Sequence, residues 1–192
     1  MNRKRIGFAL CGSFCTFADA IKQIIALNDA GADVYPIMSF NAATINTRFG
    51  KAQDHINRIE EICNKSIISS IADAEPIGPK NMLDLLIIEP CTGNTIGKLA
   101  NGITDTPVTL AAKAHLRNEK PVLIAVSTND ALSSSAINIG KLLNTRNIYF
   151  VPMRQDAPDS KTRSVVADFS KTEEAALAAL KGIQLQPILT KL

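Results

Sequence analysis

Residues 83–89 read Leu83-Asp84-Leu85-Leu86-Ile87-Ile88-Glu89, an almost wholly apolar run. A strand that is covered by other layers on both faces needs apolar side chains on both faces, whereas a half-exposed strand alternates polar and apolar residues. The run therefore predicts a central strand of a parallel sheet, with further structure packed above and below it.

Similar short apolar runs recur along the chain and alternate with longer segments of helical periodicity. This alternation is typical of an α/β fold with an open, doubly wound parallel sheet, a Rossmann-like three-layer sandwich with helices on both faces. Because the chain shows no internal repeat and no linker, we predict one domain over residues 1–192. The predicted strands cover residues 6–10, 33–38, 83–89, 121–126 and 148–151. The predicted helices cover residues 17–30, 52–63, 94–100, 107–115, 133–143 and 172–184.

Three segments are predicted to lack regular structure. Residues 39–50 are expected to form a polar loop, and residues 66–80 are interrupted by two prolines and a glycine. Residues 152–169 are rich in charge and are expected to form a mobile loop. All strands of the sheet are therefore expected outside these segments.

The composition excludes several classes of function. The formal net charge is +3 with acidic and basic residues interspersed, so the chain lacks the basic stripe of a nucleic-acid-binding protein. No apolar run approaches the roughly 20 residues that a membrane-spanning helix needs. The basic start of the chain mimics a signal peptide, but the apolar segment after it is short, and we interpret it as the first strand. The four cysteines make no disulfide framework, and we expect a cytoplasmic protein with reduced thiols.

The ends of the first two predicted strands suit a phosphate group. Ligands of an open parallel sheet bind beyond the carboxyl ends of its strands. Gly12 and Ser13 follow the first strand and lead into a helix, whose free N–H groups and dipole favour an anion. Ser39 and Asn41 follow the second strand, where a dinucleotide site would carry an acidic residue, and the GxGxxG fingerprint is also missing. These features favour a mononucleotide phosphate over bound NAD, with simple helix caps and turns as the alternative.

The third and fourth strands also end in polar segments. Thr92 and Asn94 follow the third strand and either cap the next helix or bind the polar edge of a planar cofactor. Ser127, Asn129 and Asp130 follow the fourth strand and either bind a substrate or form a turn and a cap. The residue types alone leave both pairs of alternatives open.

No metal site is predicted. Cys11 and Cys15 have a C-x3-C spacing, which is not a usual zinc pattern, and no nearby histidine completes a set with Cys91. His55 and His115 fall on predicted helices, where we interpret both as surface or capping residues rather than catalytic ones.

Thirteen consecutive positions carry a family resemblance, and they read Pro90-Cys91-Thr92-Gly93-Asn94-Thr95-Ile96-Gly97-Lys98-Leu99-Ala100-Asn101-Gly102. With the Gly12-Ser13 turn and the loop at Asn41, they resemble the homo-oligomeric flavin-containing cysteine decarboxylase superfamily, in which a P-x-[ST]-x-N-T-x-x-K-x-A-x-G segment lies beside FMN. The resemblance implies an FMN-binding fold and a homo-oligomer, a trimer or a dodecamer. It implies phosphate contacts from Gly12, Ser13, Ser39 and Asn41, and contacts near the flavin ring from Thr92, Asn94 and Thr95.

Six further segments carry a closer resemblance that runs along nearly the whole chain. They are Gly7-Phe8-Ala9-Leu10 with Gly12-Ser13, Phe40-Asn41, Asn46-Thr47-Arg48-Phe49-Gly50, Ala74-Glu75-Pro76-Ile77-Gly78-Pro79-Lys80, Ser127-Thr128-Asn129-Asp130-Ala131-Leu132 and Gln186-Pro187-Ile188-Leu189. These segments are similar to the dipicolinate synthase B subunits of endospore-forming bacteria. The resemblance implies an oxidoreductase that acts with an A subunit, itself similar to NAD(P)-binding Rossmann proteins. The pair would convert a hydroxylated tetrahydrodipicolinate to dipicolinate, with FMN on this chain and NADP on the A subunit.

Two departures from the decarboxylase pattern point to a different substrate above the same flavin. Asn129 alone remains of a P-x-M-N substrate motif, and residues 75–80 lack the histidine that precedes the third strand in the decarboxylases. A dicarboxylate substrate needs cationic partners, and Arg48 and Arg154 are candidates because a guanidinium binds a carboxylate through two hydrogen bonds. Each is otherwise an ordinary surface or interface charge. The alternatives are a flavin-dependent decarboxylase or flavin-modifying enzyme of the same superfamily, and an assembly scaffold that has lost flavin.

Overall fold

The computed structural model describes Met1 and residues 3–191, and within these residues seven strands form one sheet. The strands are β1 (Arg5–Leu10), β2 (Asp33–Met38), β3 (Leu85–Cys91), β4 (Val122–Thr128), β5 (Ile148–Phe150), β6 (Met153–Gln155) and β7 (Val165–Ala167). The strand order is β2-β1-β3-β4-β7-β6, and β5 also pairs with β4.

The parallel part of the sheet has the order β2-β1-β3-β4-β5. The chain runs outward from β1 to β2 and then crosses back past β1 to β3. This reversal makes the gap between β1 and β3 the switch point of the sheet, where the connections leave in opposite directions and open a crevice at the carboxyl ends. The mostly parallel open sheet with helices on both sides confirms the predicted fold class.

The helices cover the two faces of the sheet. They are α1 (Phe17–Asp29), α2 (Phe40–Thr44), α3 (Ala52–Cys63), α4 (Ile71–Ala74), α5 (Gly93–Ala100), α6 (Pro107–Arg117), α7 (Ala136–Leu143) and α8 (Thr172–Ala179). Thr106 caps α6 by accepting a hydrogen bond from the Thr109 amide at 3.2 Å. No helix among these described residues is long and apolar enough to cross a membrane.

Every residue of β3 is buried, which confirms the inference from its apolar run that both of its faces are covered. The strand begins two residues later than predicted and ends at Cys91. Asp84 lies outside it because its carboxylate pairs with Arg5 at 2.9 Å and with Lys120 at 3.4 Å, at the amino edge of the sheet. At its other end, the strand continues past Glu89 to Cys91, toward the crevice.

Two of the segments predicted as irregular contain helices. In residues 39–50, Ser39 accepts a hydrogen bond from the Ala42 amide at 3.3 Å and starts α2. In residues 66–80, Ser70 accepts one from the Asp73 amide at 3.0 Å and starts α4, which a 3-10 turn extends to Ile77. The loop predictions were wrong here because short capped helices leave too few residues to show helical periodicity.

The prediction of a structureless loop over residues 152–169 was also wrong. Strands β6 and β7 pair antiparallel, with Arg154 opposite Val166, and β7 pairs antiparallel with the end of β4, where Ser127 lies opposite Val166. Val165 is buried in this pairing. The hairpin extends the sheet at its carboxyl edge, so the segment between its strands, residues 156–164, lies beside the crevice.

Candidate functional site

A cleft of about 950 Å³ lies at the carboxyl ends of β1, β3 and β4, where the topology predicts a ligand site. The loops after these three strands form its floor, and the β6–β7 hairpin forms one wall. Seven of the residues predicted to bind ligands line it: Gly12, Ser13, Thr92, Asn94, Ser127, Asn129 and Asp130.

Three of the predicted cofactor contacts lie beside or beneath the cleft rather than on its surface. Ser39 caps α2, and Asn41 in α2 lies next to Gly12, where a Cβ on the glycine would be 3.7 Å from the Asn41 Cβ. Thr95 is buried in α5, and its hydroxyl donates to the sulfur of Cys11 at 3.2 Å. The structure therefore separates a lining set from a supporting set, which residue types alone do not distinguish.

The two arginines proposed for a dicarboxylate lie outside the cleft lining. The guanidinium of Arg48 stacks over the ring of Phe49 at 4.9 Å, and Phe49 itself lines the cleft. Arg154 lines a separate pocket of about 350 Å³, which also contains Asp19 and Asp168. Arg48 thus borders the rim, whereas Arg154 belongs to another surface.

Hydroxyl groups form the floor of the cleft. The hydroxyls of Ser13 and Ser127 are hydrogen-bonded at 2.8 Å, which ties the end of β1 to the end of β4 across β3. A 3-10 turn over Phe14–Thr16 follows Ser13 and continues directly into α1. The first N–H groups of a helix have no partner within the helix and attract anions. The floor therefore offers both hydroxyl and amide donors.

A hydroxyl cluster surrounds Asp130 at the end of β4. Its carboxylate accepts hydrogen bonds from Thr128 at 2.6 Å, Ser134 at 2.7 Å and Ser135 at 2.9 Å. These bonds hold the pKa of Asp130 below its usual value despite partial burial, and the bond from Thr128 has the largest effect on this pKa. Asp130 is therefore ionised at neutral pH and presents a fixed negative charge to the cleft.

Gly93 is the position where α5 meets this hydroxyl cluster. A Cβ on Gly93 would lie 2.7 Å from Asp130 Oδ1 and 2.8 Å from both Ser135 Oγ and Thr128 Oγ1. Contacts this short do not occur in folded proteins, so the close approach of α5 to the β4 loop requires glycine here. The cluster and the start of α5 form one packed unit.

Two cysteines lie buried under the cleft, and Cys91 does not supply a nucleophile. Cys11 and Cys91 are 1% and 0% exposed. Burial raises the pKa of the Cys91 thiol well above its ordinary value, so it stays protonated. Among residues 1 and 3–191, no group of three or more His, Cys, Asp or Glu side chains is arranged to hold a metal ion.

Two further titratable groups are buried away from the cleft. Glu89 is fully buried, and its only hydrogen-bond partner among the described residues is the Thr172 hydroxyl, which donates to Oε2 at 2.6 Å. Burial raises the pKa of Glu89 to about 8, against the smaller opposing effect of Thr172.

His115 is not the surface or capping residue that we predicted. It is buried, and its Nε2–H donates to the Pro121 carbonyl at 3.0 Å. Burial lowers the pKa of His115 to about 4.

Several residues that line the cleft were not predicted from the sequence as ligand contacts. They include Cys15 and Phe49, and Asp156, Lys161, Ser164 and Val165 of the hairpin. The hairpin residues were missed because the segment was predicted as a mobile, charged loop. The run Ser133-Ser134-Ser135 after Asp130 was the available signal for the hydroxyl cluster, since a row of hydroxyls beside a carboxylate can satisfy its oxygens.

Comparison with known proteins identifies similar sequences and folds. The model of the family described as Flavoprotein matches residues 1–178. The dipicolinate synthase B subunit of Bacillus subtilis (strain 168) is 46% identical over 191 residues, which cover 100% of this chain and 96% of that protein. The crystal structure of the dipicolinate synthase B subunit from Bacillus halodurans has a TM-score of 0.91 at 45% identity and covers 100% of this chain and 99% of its own. The crystal structure of the FMN-dependent cysteine decarboxylase SpaF shares the fold, with a TM-score of 0.66 at 22% identity. The match covers 93% of this chain and 97% of SpaF.

Proposed function

Since this chain belongs to the Flavoprotein family and groups within it with the dipicolinate synthase B subunits, we propose that it is the FMN-binding component of a two-subunit oxidoreductase. With an NAD(P)-binding A subunit, it converts a hydroxylated tetrahydrodipicolinate to dipicolinate. The observation that carries this proposal is the cleft at the switch point of the sheet. It joins an anion-binding helix start, a polar β3 loop and a fixed carboxylate in one space of about 950 Å³.

The residues of the cleft fit FMN. Gly12 and Ser13 open the turn before α1, where a phosphate would find amide and hydroxyl donors, and Ser39 and Asn41 support that turn from α2. Thr92 and Asn94, at the start of α5, would face the polar edge of the flavin ring, with Thr95 packed beneath them. When bound, FMN supplies a two-electron acceptor for the oxidation.

The chain's own residues would orient the substrate and exclude water. Ser127 and Asn129 offer a hydroxyl and an amide at the end of β4, and Asp130 offers an ionised carboxylate that accepts hydrogen bonds. Because its pKa is lowered, Asp130 does not serve as a proton donor at neutral pH. The buried Val165 of the hairpin gives the cleft an apolar side that would shield a bound substrate ring from solvent.

The overall reaction removes water and two hydrogens from a six-membered ring to leave an aromatic pyridine. The two hydrogens pass as a hydride and a proton, and NADP on the A subunit is the final electron acceptor. The proposed partners are thus the A subunit, a small dicarboxylate, and further copies of this chain in a trimer or a dodecamer. We place the reaction in the cytoplasm, during endospore formation.

A decarboxylase of the same fold is the second candidate function. The similarity to FMN-dependent decarboxylases is at the level of the fold. The segment Ser127-Thr128-Asn129 stands in place of their substrate motif, and its first residue is hydrogen-bonded to Ser13 in the floor of the cleft. The departure from that motif and the absence of a histidine from residues 75–80 favour the oxidoreductase.

Replacing Asn94 by aspartate is expected to weaken FMN binding about tenfold or more, as expected for a charge placed beside the polar edge or the phosphate of the cofactor. Asn94 is the second residue of α5, where a carboxylate is favourable for the helix itself, so the variant should fold. Asn57→Asp makes the same change in α3, outside the cleft lining, and serves as the control. Equal FMN dissociation constants for Asn94→Asp and Asn57→Asp in a fluorescence titration would remove Asn94 from the cofactor site.

The proposed function is tested by mixing this chain with an A subunit, NADP and the hydroxylated tetrahydrodipicolinate and measuring dipicolinate. Formation above the level of either component alone supports the two-subunit oxidoreductase. Decarboxylation of a peptide cysteine by this chain alone, with no gain in dipicolinate, would favour the decarboxylase.

A further inference from the structure

The segment between β6 and β7, residues 156–164, is an ordered part of the cleft wall. The side chain of Gln155 donates to the Thr162 carbonyl at 2.7 Å, inside the hairpin. The Leu132 amide donates to the Arg163 carbonyl at 3.0 Å, and the Ser164 hydroxyl donates to the Thr128 carbonyl at 3.4 Å. These bonds attach the segment to the loop after β4, so its side chains have a defined position relative to the proposed substrate residues.

Lys161 is the single basic side chain among the described residues that line the cleft. Its backbone is held on both sides: its amide donates to the Ala157 carbonyl at 2.7 Å, and its own carbonyl accepts from the Ser164 amide at 3.0 Å. Its ammonium group pairs with Asp156 Oδ2 at 2.8 Å, and Asp156 also lines the cleft. The cation is therefore placed at the cleft with a partner carboxylate from its own hairpin.

The pair between Lys161 and Asp156 is exchangeable. The two side chains are 58% and 37% exposed, and ion pairs as exposed as this one contribute little to stability because water screens the charges. A ligand carboxylate that enters the cleft would replace one lysine–carboxylate contact with another, while Asp156 turns to solvent. The negative charge of Asp130 remains in the cleft, so a dianionic ligand gains its binding energy at Lys161 and loses some at Asp130.

We propose that Lys161 binds a carboxylate of the dicarboxylate substrate in exchange for Asp156, and that it is the specificity-determining cation of this site. The proposal rests on the proposed function, since it takes the dicarboxylate as the ligand. It replaces Arg48 and Arg154 in that role, because neither lines the cleft.

The substitutions Lys161→Gln and Asp156→Asn have opposite expected effects. Loss of the ammonium group should weaken dipicolinate binding about tenfold, as expected for the loss of a charge-assisted hydrogen bond. Loss of the competing carboxylate should strengthen dipicolinate binding about two- to fivefold, consistent with the small contribution of an exposed pair. Because both side chains are exposed on a segment that backbone hydrogen bonds hold in place, thermal stability should change little.

The measurement is calorimetric titration of the FMN-loaded full chain with dipicolinate and, separately, with picolinate, which has one carboxylate. Lys161→Gln should reduce the preference for dipicolinate over picolinate. The control is Lys171→Gln, which removes a similarly exposed lysine from its pair with Glu174 at 3.1 Å, outside the cleft lining. This control should bind both ligands as the wild type does.

Wild-type dipicolinate affinity in Lys161→Gln, or weaker dipicolinate binding in Asp156→Asn, would overturn the assignment of Lys161. A wild type that binds no dipicolinate would overturn it as well. The proposed function is judged separately by dipicolinate formation with the A subunit, which none of these three results decides. The assignment of Lys161 can thus fail while the proposed function holds.

Discussion

Replacing Gly93 by alanine is expected to reduce FMN affinity at least about tenfold and to destabilise the fold by about 1–3 kcal/mol, the usual cost of forcing an extra methyl into a packed site. The added Cβ would lie 2.7 Å from Asp130 Oδ1 and 2.8 Å from Ser135 Oγ. The hydrogen bonds among these groups prevent a simple side-chain rotation from relieving the contact. Either the start of α5 or the β4 loop must move, and both line the cleft.

The same helix provides a matched control for Gly93→Ala. A Cβ on Gly97 would meet only the side-chain nitrogen of Asn138, Nδ2, at 3.6 Å, which is an ordinary contact. Alanine is favoured over glycine inside a helix by about 1 kcal/mol, so Gly97→Ala should be neutral or stabilising. FMN titration and thermal unfolding of both variants separate a steric effect at Gly93 from a general effect of alanine in α5. Wild-type FMN affinity in Gly93→Ala would show that the junction of α5 and the β4 loop is not part of the cofactor site.

Replacing Glu89 by glutamine is expected to stabilise the protein above pH 6.5. The buried acid of the folded chain keeps its proton up to a pKa of about 8, whereas the ordinary value is 4.5. The folded state therefore binds more protons than the unfolded state between these values, and wild-type stability falls as pH rises. At ~1.4 kcal/mol per pH unit, this single group costs on the order of 5 kcal/mol by pH 8. Glutamine mimics the protonated acid, still accepts from Thr172, and has no such loss.

The useful range for this test is pH 6.5 to 8, because His115 has the opposite effect at lower pH. Its pKa is about 4 in the folded chain and ordinarily 6.5, so its contribution to stability rises with pH between these values and is constant above them. Urea unfolding at the two ends of the range should show a decline for the wild type and a smaller one for Glu89→Gln. Glu61→Gln, on the exposed face of α3, is the control and should decline like the wild type. Parallel pH dependence for all three proteins would contradict a buried neutral Glu89.

The sequence was sufficient for the parts of the fold that depend on local patterns. The bounds of β2 and α3 agree with the predicted ranges, since a strand and an amphipathic helix show their periods within a few residues. The three-residue strands β6 and β7 have no such period. β7 forms because the end of β4 offers it an edge, a pairing that joins residues distant in sequence, and β6 pairs in turn with β7.

The candidate site also contains residues whose position follows from a local pattern and residues whose position depends on distant contacts. Ser13, Thr92 and Asp130 were predicted because they follow strands, and parallel strands bring their carboxyl ends together. Arg48 and Arg154 were predicted from the positive charge that a dicarboxylate needs. The charge of a residue does not show where the fold places it. Lys161 was overlooked for the same reason, because its place at the cleft depends on how the hairpin attaches to the loop after β4.

FMN binding in the cleft is tested most directly by the FMN dependence of dipicolinate formation by this chain and an A subunit, with NADP and the hydroxylated tetrahydrodipicolinate supplied. Flavin-free protein should give little product above the A subunit alone, added FMN should restore formation, and Gly93→Ala should need more FMN for the same rate. Equal rates with and without FMN would show that the oxidation does not use a flavin held in the cleft.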